Sequence, residues 1–389
     1  MSAPTLTQRR AVHFRNQLLD RHTTDPMSFI ERIALYSTSP TSHLGLIARV
    51  KGYRVEDLPR LVAERRIVGG AGVRGSSFFV PVDLVPMTVA VGAERRARLE
   101  REILGKPENA RVFDRLAKRI ERALSGTEMA GVDIRKAARP SGSEAFVYSW
   151  TLRLMAEQCR IVTTGTTGSW KSNRFAYRLW DEWLPDVDPF AMDVSEARVE
   201  LARLYFKAHA PATVEDFAWW SGIKRGVAEV VADAKIPSLG AGYFGKRPPA
   251  RLAAPTGVRL LPYWDAALLT LRDRTHVISD DRYGKVYDDS GNPAPVVLVD
   301  GAAKGVWSML DDKKRLIVSA APFGSFSAAV WKKIESEAEL IAAATGAPDV
   351  EVQRRKNPPP IAGGPRNLFM NPFMDPLRGE GPKRGGRSS

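Results

Sequence analysis

The chain is poor in the residues that build redox and metal chemistry. Cysteine occurs once in 389 residues, as Cys159, so neither an intramolecular disulfide nor a cysteine-rich zinc site can form. A reducing cytoplasm is the expected compartment. The five histidines are scattered without ligand spacing, and no metal or cofactor is expected. No run of about 18 apolar residues occurs, so no membrane span or membrane partner is predicted. The opening residues, MSAPTLTQRRAVHF, lack the apolar stretch of a signal peptide. GTTG at Gly165–Gly168 has neither the glycine spacing nor the following Lys-Ser/Thr pair of a phosphate loop. Acidic residues are also in deficit, 44 Asp and Glu against 58 Lys and Arg, for a net charge of +14.

What the chain does have is bulk and positive charge. Its length, with 44% hydrophobic and 26% charged residues, allows two or three modest cores in a globular protein. From Arg354 on, eight basic residues face only Asp375 and Glu380, which leaves +6 on the tail and +8 on the remaining body. A basic folded body suits a polyanion, double-stranded DNA first. The protein is expected to be a monomer; the plain alternative to DNA binding is a soluble protein that simply has a high isoelectric point.

One local grammar recurs along the chain: helices, a short turn, another helix, then a β-hairpin. In its first occurrence, Leu6–Arg21 and Met27–Leu35 read as helices, the second behind Asp25-Pro26 as N-cap and first turn. Helices at His43–Val50 and Leu58–Arg65 follow, and the glycine-rich Ile67–Pro81 reads as a hairpin. The second occurrence has helices at Leu84–Leu104 and Ala110–Leu124, another running to Glu157, and a hairpin at Arg160–Arg178. The third has Thr213 as N-cap, a turn at Ser221-Gly222, a helix at Lys224–Ala234 and β-prone Ile236–Phe244. A helix-turn-helix followed by a hairpin is a winged helix. The expected fold class is therefore α+β, with winged helices at residues 1–82, 83–190 and 191–254. Short β-prone runs, a helix at Ser325–Ala344 and a strand at Asp349–Arg354 make residues 255–356 a barrel-like or sandwich domain. Residues 357–389, rich in Pro, Gly and Arg, read as a disordered basic tail containing the apolar stretch NLFMNPFM at Asn367–Met374.

Between the second and third helices lies Tyr36-Ser37-Thr38-Ser39-Pro40-Thr41-Ser42, seven residues without a charge or an aliphatic side chain. Its hydroxyls can orient a water, or they can merely cap the next helix. They are poor general bases, since a tyrosine of ordinary pKa near 10 stays protonated at neutral pH. His43 is the nearest ionisable side chain downstream, and Glu31 lies more than a helical turn upstream. Trp170, Lys171 and Arg174 sit at the tip of the second hairpin, where an aromatic and two cations can track phosphates or enter a groove. Lys224 and Arg225 open a recognition-type helix. With Arg66 and Arg74 of the first hairpin, these are the candidate DNA contacts. Trp219-Trp220 reads as core rather than as a stacking platform.

Four segments carry a family resemblance: ALYSTSPTSHLGLIARV with AERRIVGGAGVRGSSFFVP, RIVTTGTTG through FAYRLWDEWLP, LARLYFKAHAPATVEDFAWWSG, and LLPYWDAALLTLRDRT with PVVLVDGAAKGVW. In this order they resemble the AlkZ-like winged-helix DNA glycosylases, which include the YcaQ-type enzymes. The resemblance implies three tandem winged helices and a C-terminal β-barrel around a concave DNA-holding channel. It also places the family's Gln-x-Gln or Gln-x-Asp motif, which holds a water under the sugar C1′, on Tyr36-Ser37-Thr38. Ser39 takes the following acidic place, and Pro40 matches. The family's Arg-Gly-Thr-Leu-His keeps Arg74-Gly75, but Phe78 stands at the histidine. Asp265 resembles a shared position and reads as a fold-holding carboxylate. Tyr36, Thr38 and His43 are thus the catalytic candidates. Two functional classes stay open: a glycosylase-like enzyme for alkylated or bulky purine adducts in duplex DNA, and a DNA-binding protein on the same scaffold without that chemistry.

Overall fold

The N-terminal helices are shorter than their apolar spacing suggests, because single residues in the left-handed region cut them. In the computed structural model, which describes residues 3–33, 35–166, 168–172, 174–247, 252–311 and 315–356, the first helix is Leu6–Asn16. A capping box between Thr5 and Gln8 starts it, and Leu18 (φ 56°) and Arg21 (φ 55°) end the helical path before the expected Arg21. Met27–Ile30 begins where Asp25 Oδ1 accepts from the Met27 N–H at 3.0 Å, and Ile33 (φ 50°) stops it short of Leu35. Thr41–Ile47 starts two residues before the expected His43, with Pro40 as N-cap. Asp57–Ala63 ends ahead of Arg65 (φ 58°).

The first hairpin forms as expected, from β1 (Ile67–Ala71) and β2 (Ser77–Pro81). The predicted helix at Leu84–Leu104 is two, Val85–Val91 and Ala93–Leu104, broken at Gly92. Pro107–Leu124 begins three residues earlier than Ala110, because a proline at the first helical position needs no N–H acceptor, and it buries Phe113, Leu116, Ile120 and Leu124. The short β3 (Met129–Ala130) and the helices Gly131–Ala138 and Glu144–Glu157 lead to β4 (Ile161–Thr166) and β5 (Phe175–Leu179). The two hairpins join in one sheet of order β2-β1-β4-β5-β3. Gly69 permits the seam: it pairs with Thr163, and a Cβ there would lie 3.2 Å from Thr163 Cγ2.

The third unit has helix Val194–His209, β6 (Ala212–Thr213), helix Val214–Ser221 under a Thr213–Asp216 capping box, helix Val227–Asp233, β7 (Ser238–Gly240) and β8 (Tyr243–Phe244). Its second helix starts at Val227 rather than Lys224, because Gly226 (φ 67°) is the N-cap and Lys224-Arg225 belong to the turn. The C-terminal strands β9 (Val258–Leu261), β10 (Val296–Val299), β11 (Ala302–Asp311), β12 (Leu316–Pro322) and β13 (Val350–Arg354) form a sheet of order β13-β12-β11-β10-β9. This sheet is open among the described residues. Helix Ala328–Thr345 carries the chain back so that β13 runs parallel to β12 at one edge, and β9 holds the other, so the strands do not close the expected barrel. The fold is mixed α+β. The predicted tail at 357–389 lies outside the described residues. No helix among the described residues is long and apolar enough to cross a membrane.

The cores cross the predicted boundaries. Phe29, Leu46, Leu61 and Phe79 share one core with Trp307, Val318 and Ile341 of the C-terminal sheet and helix. Val68 and Val80 of the first hairpin share another with Leu201, Tyr205, Phe217 and Trp220 of the third unit. Helix Leu6–Asn16 also reaches far from its sequence neighbours. His13 Nε2 donates to the Ala267 carbonyl at 2.9 Å, its ring lies 4.6 Å from that of His276, and Gln17 Nε2 is 3.0 Å from His209 Nδ1. Burial pushes the His13 imidazole down to about 4 and holds His209 and His276 well below the ordinary range.

Candidate nucleic-acid interface

The hydroxyl-rich loop is pinned to the edge of the first hairpin. Tyr36 bridges Phe78 across an antiparallel pair, and the Ser37 N–H donates to the Ser77 carbonyl at 3.0 Å. The Ser37 and Ser77 hydroxyls are 2.6 Å apart. The N-cap of the next helix is Pro40, so no loop hydroxyl fills that position; the Thr38 carbonyl accepts from the Ser42 N–H instead. The loop does more than turn a corner, since it joins the hairpin edge to the helix carrying His43.

Tyr36 is half-buried, its ring centroid 4.4 Å from Phe78 and 5.8 Å from Trp264. Trp264 is held at φ 55°, a conformation costly for an aromatic residue, with its indole N–H on Asn292 Oδ1 at 3.0 Å. The Tyr36 hydroxyl hydrogen-bonds Arg74 and Ser76. Burial raises its pKa further than the Arg74 charge lowers it, so the phenol stays protonated and cannot act as a general base. Arg74 itself sits at φ 57° in the hairpin tip, 4.4 Å over the Trp219 ring, and Arg274 lies 4.8 Å over the same indole. This Arg–Trp–Arg stack docks the first hairpin onto the third unit. Trp220 is buried as expected, whereas Trp219 is half-buried between the two cations.

His43 is buried on the other side of the loop. Its Nδ1 lies 2.8 Å from the Tyr53 hydroxyl, and burial pushes its pKa down to about 4, so the ring is neutral at physiological pH. It lines a cavity of about 230 Å³ together with Ser39, Phe79, Glu128, Thr164 and Trp183. Trp170 turns back from its hairpin tip onto the body, with its ring edge-on to His43 at 6.2 Å. Lys171 beside it is half-buried and Arg174 is exposed. Thr38 is half-buried in the loop. Arg66, Lys224 and Arg225 are exposed and solvent-facing. A second cavity of about 350 Å³ lies against β1 and β4; the Arg95–Glu157 ion pair is in its lining, and no candidate residue is.

Asp265 is fully committed. Its carboxylate accepts from Arg49 Nη1 and Nη2 at 2.8 and 2.6 Å and from the Ala267 N–H at 2.9 Å. Among the described residues, no group of three or more His, Cys, Asp or Glu side chains is arranged to hold a metal ion.

The comparisons with known proteins agree with this architecture. The family described as DNA glycosylase AlkZ-like matches residues 33–344. The chain belongs to the AlkZ-like DNA glycosylase family. The structure of Streptomyces sahachiroi DNA glycosylase AlkZ is similar in fold, with a TM-score of 0.70 at 20% identity over 91% of this chain and 100% of that one. No curated protein matches. In this AlkZ-like chain the loop from Tyr36 to Ser39 carries hydroxyls and neither an amide nor a carboxylate side chain. The sequence reading missed Glu128, Thr164, Trp183 and Trp264. Each lies far along the chain from the loop it approaches; the signals available were the repeated TTG at Thr163–Gly168 and the tryptophans within the second and fourth family segments.

Proposed function

We propose that this protein binds duplex DNA and releases purines that alkylation at N3 or N7 has already made cationic. Such a base leaves readily, so the site needs a positioned water and a shaped, partly dry pocket more than a strong base. The observation that carries this reading is the cavity beneath the loop, walled by Ser39 and a neutral His43 and continuous with the Tyr36–Thr38 motif position along the chain. Thr38 is the hydroxyl assigned to orient the water. Tyr36 is assigned to hold the hairpin tip through Arg74. The three helix–hairpin units read as winged helices at 1–82, 83–190 and 191–254, and Arg66, Arg74, Trp170, Lys171, Arg174, Lys224 and Arg225 are assigned to the DNA.

A second reading, a binder without glycosylase chemistry, is favoured by one observation: the Tyr36 hydroxyl is already engaged by Arg74 and Ser76. One experiment separates them. The protein is incubated with duplexes carrying N7-alkylguanine or N3-alkyladenine, and free base, abasic sites and salt-dependent binding are measured. Binding with base release supports the first reading. Binding without release supports the second, and no binding at low salt refutes both.

A further inference from the structure

The cavity under the loop has features that its role as a gap between packed elements does not require. Strand β4 departs from regular pairing there: its register against β5 shifts between Thr163 and Thr166, and Gly165 sits at φ 106°. Bulges of this kind re-aim side chains and are frequent beside functional sites. Two buried polar atoms of the lining, Thr164 Oγ1 and Trp183 Nε1, have no hydrogen-bond partner among the described residues. Native proteins leave few such atoms unpaired, because each costs the desolvation of a polar group without return. The ring of Trp183 is itself held in place between Arg65, at 5.0 Å, and Arg178, at 4.8 Å. His43 adds a neutral imidazole whose orientation is fixed by the Tyr53 hydroxyl.

The side chains that line the cavity differ in charge from the protein as a whole, although Arg65 and Arg178 pack behind the Trp183 ring. In a chain of net charge +14, its lining among the described residues contains one carboxylate, Glu128, and neither lysine nor arginine. Arg178 Nε, itself buried, lies 3.7 Å from Glu128 Oε2, so the carboxylate at the cavity wall is only partly offset by a half-buried guanidinium at long range. The volume, about 230 Å³, is below the roughly 300–1,000 Å³ of drug-sized pockets, which matches one heterocycle rather than a whole nucleotide. Phe79, Leu58 and Val62 supply apolar walls, while an indole N–H, two hydroxyls and an imidazole supply hydrogen-bonding groups.

We propose that this cavity receives a single purine base extruded from the duplex, with Trp183 and Thr164 reading its edge and Glu128 favouring a base that carries positive charge. The inference rests on the DNA reading for its biological meaning, but the pocket can be tested without DNA. Base extrusion is how enzymes reach atoms that a duplex stacks out of reach, and alkylated bases cost least to unstack. Lys171 and Arg174, on the hairpin whose Trp170 meets His43, are then placed to follow the strand from which the base came.

The test titrates the full-length protein with 9-methyladenine and with its cationic counterpart 3,9-dimethyladeninium, by calorimetry or ligand-observed NMR. Duplex binding is measured in parallel by anisotropy. The cation is expected to bind at least about tenfold more tightly than the neutral base, and Glu128→Gln is expected to erase that preference. Thr164→Val, which keeps shape, is expected to weaken base binding about fivefold to tenfold and to leave duplex affinity and melting temperature unchanged; Trp183→Phe, which removes the indole N–H with part of the ring, is expected to weaken base binding by at least as much with duplex affinity unchanged. Duplex binding without base binding, or base binding indifferent to all three substitutions, overturns the pocket. Base binding without duplex binding keeps the pocket and overturns the DNA reading. Should Trp183→Phe lower the melting temperature, Glu128→Gln at its exposed position decides the matter alone.

Discussion

Asp265→Asn removes one charge and almost nothing else, which makes it a sharp probe of how the C-terminal sheet is tied to the N-terminal helices. Asn is as good an N-cap as Asp, so the cap on Ala266–Leu269 is kept. What changes is the environment of Arg49, whose side chain is completely buried. In the parent its guanidinium donates twice to Asp265, once to the Gln17 carbonyl at 2.8 Å and once to the Gly45 carbonyl at 2.9 Å, and it lies 4.2 Å over the Phe29 ring. In the variant the two carbonyls and the ring remain, but the cation has no counter-charge in a fully buried site. Breaking a buried pair in this way costs about 3–5 kcal/mol, far more than an exposed pair is worth. Urea unfolding followed by circular dichroism reads the loss directly. Arg49→Met closes a double-mutant cycle: with the cation gone, Asp265→Asn should cost much less, and the coupling should reach at least about 2 kcal/mol. A loss below about 1 kcal/mol, or additive effects in the cycle, would refute the view that this pair holds the two halves of the chain together.

Acid should weaken the fold before it protonates most carboxylates. The folded pKa of about 4 for His13 and His43 lies below the ordinary 6.5, so the unfolded chain binds more protons and stability is lost as pH falls from 6.5 toward 4. At pH 5 each of the two should contribute a loss of about 2 kcal/mol, with His209 and His276 acting in the same direction; equal denaturation midpoints at pH 7 and 5 would exclude this. Gly222→Ala places a Cβ 2.7 Å from Arg74 Cγ at φ +73°, and should cost about 1–2 kcal/mol by displacing the hairpin tip, with a melting curve as the measure. Thr38→Val should slow single-turnover base release about tenfold with duplex affinity unchanged, and an unchanged rate would move the water elsewhere. Duplex affinity should fall steeply with salt, log K dropping by about 0.9 per phosphate neutralised, and a flat dependence would argue against the basic body as the binding surface.

Local chemistry was readable from the chain. The hairpin at Ile67–Pro81, the Thr213 cap, the Ser221-Gly222 turn and the last helix follow from turn glycines, capping side chains and 3.6-residue spacing, all of which act within a few residues. Helix ends were misjudged at Leu18, Ile33 and Arg65, where a non-glycine residue takes a positive φ, since nothing in those side chains announces it and packing imposes it. The family was equally visible in one dimension. What sequence could not supply was the company each loop residue keeps. Arg74 meets Trp219, His13 meets His276, Asp265 meets Arg49, and Thr164 and Trp183 line one cavity with His43. Each of these pairs is separated by scores to hundreds of residues, and side-chain contacts at that separation depend on how sheets and helices stack. The closed barrel failed for the same reason: alternating β-prone runs specify strands, but only the crossover through Ala328–Thr345 decides that β13 returns parallel at an edge and leaves the sheet open.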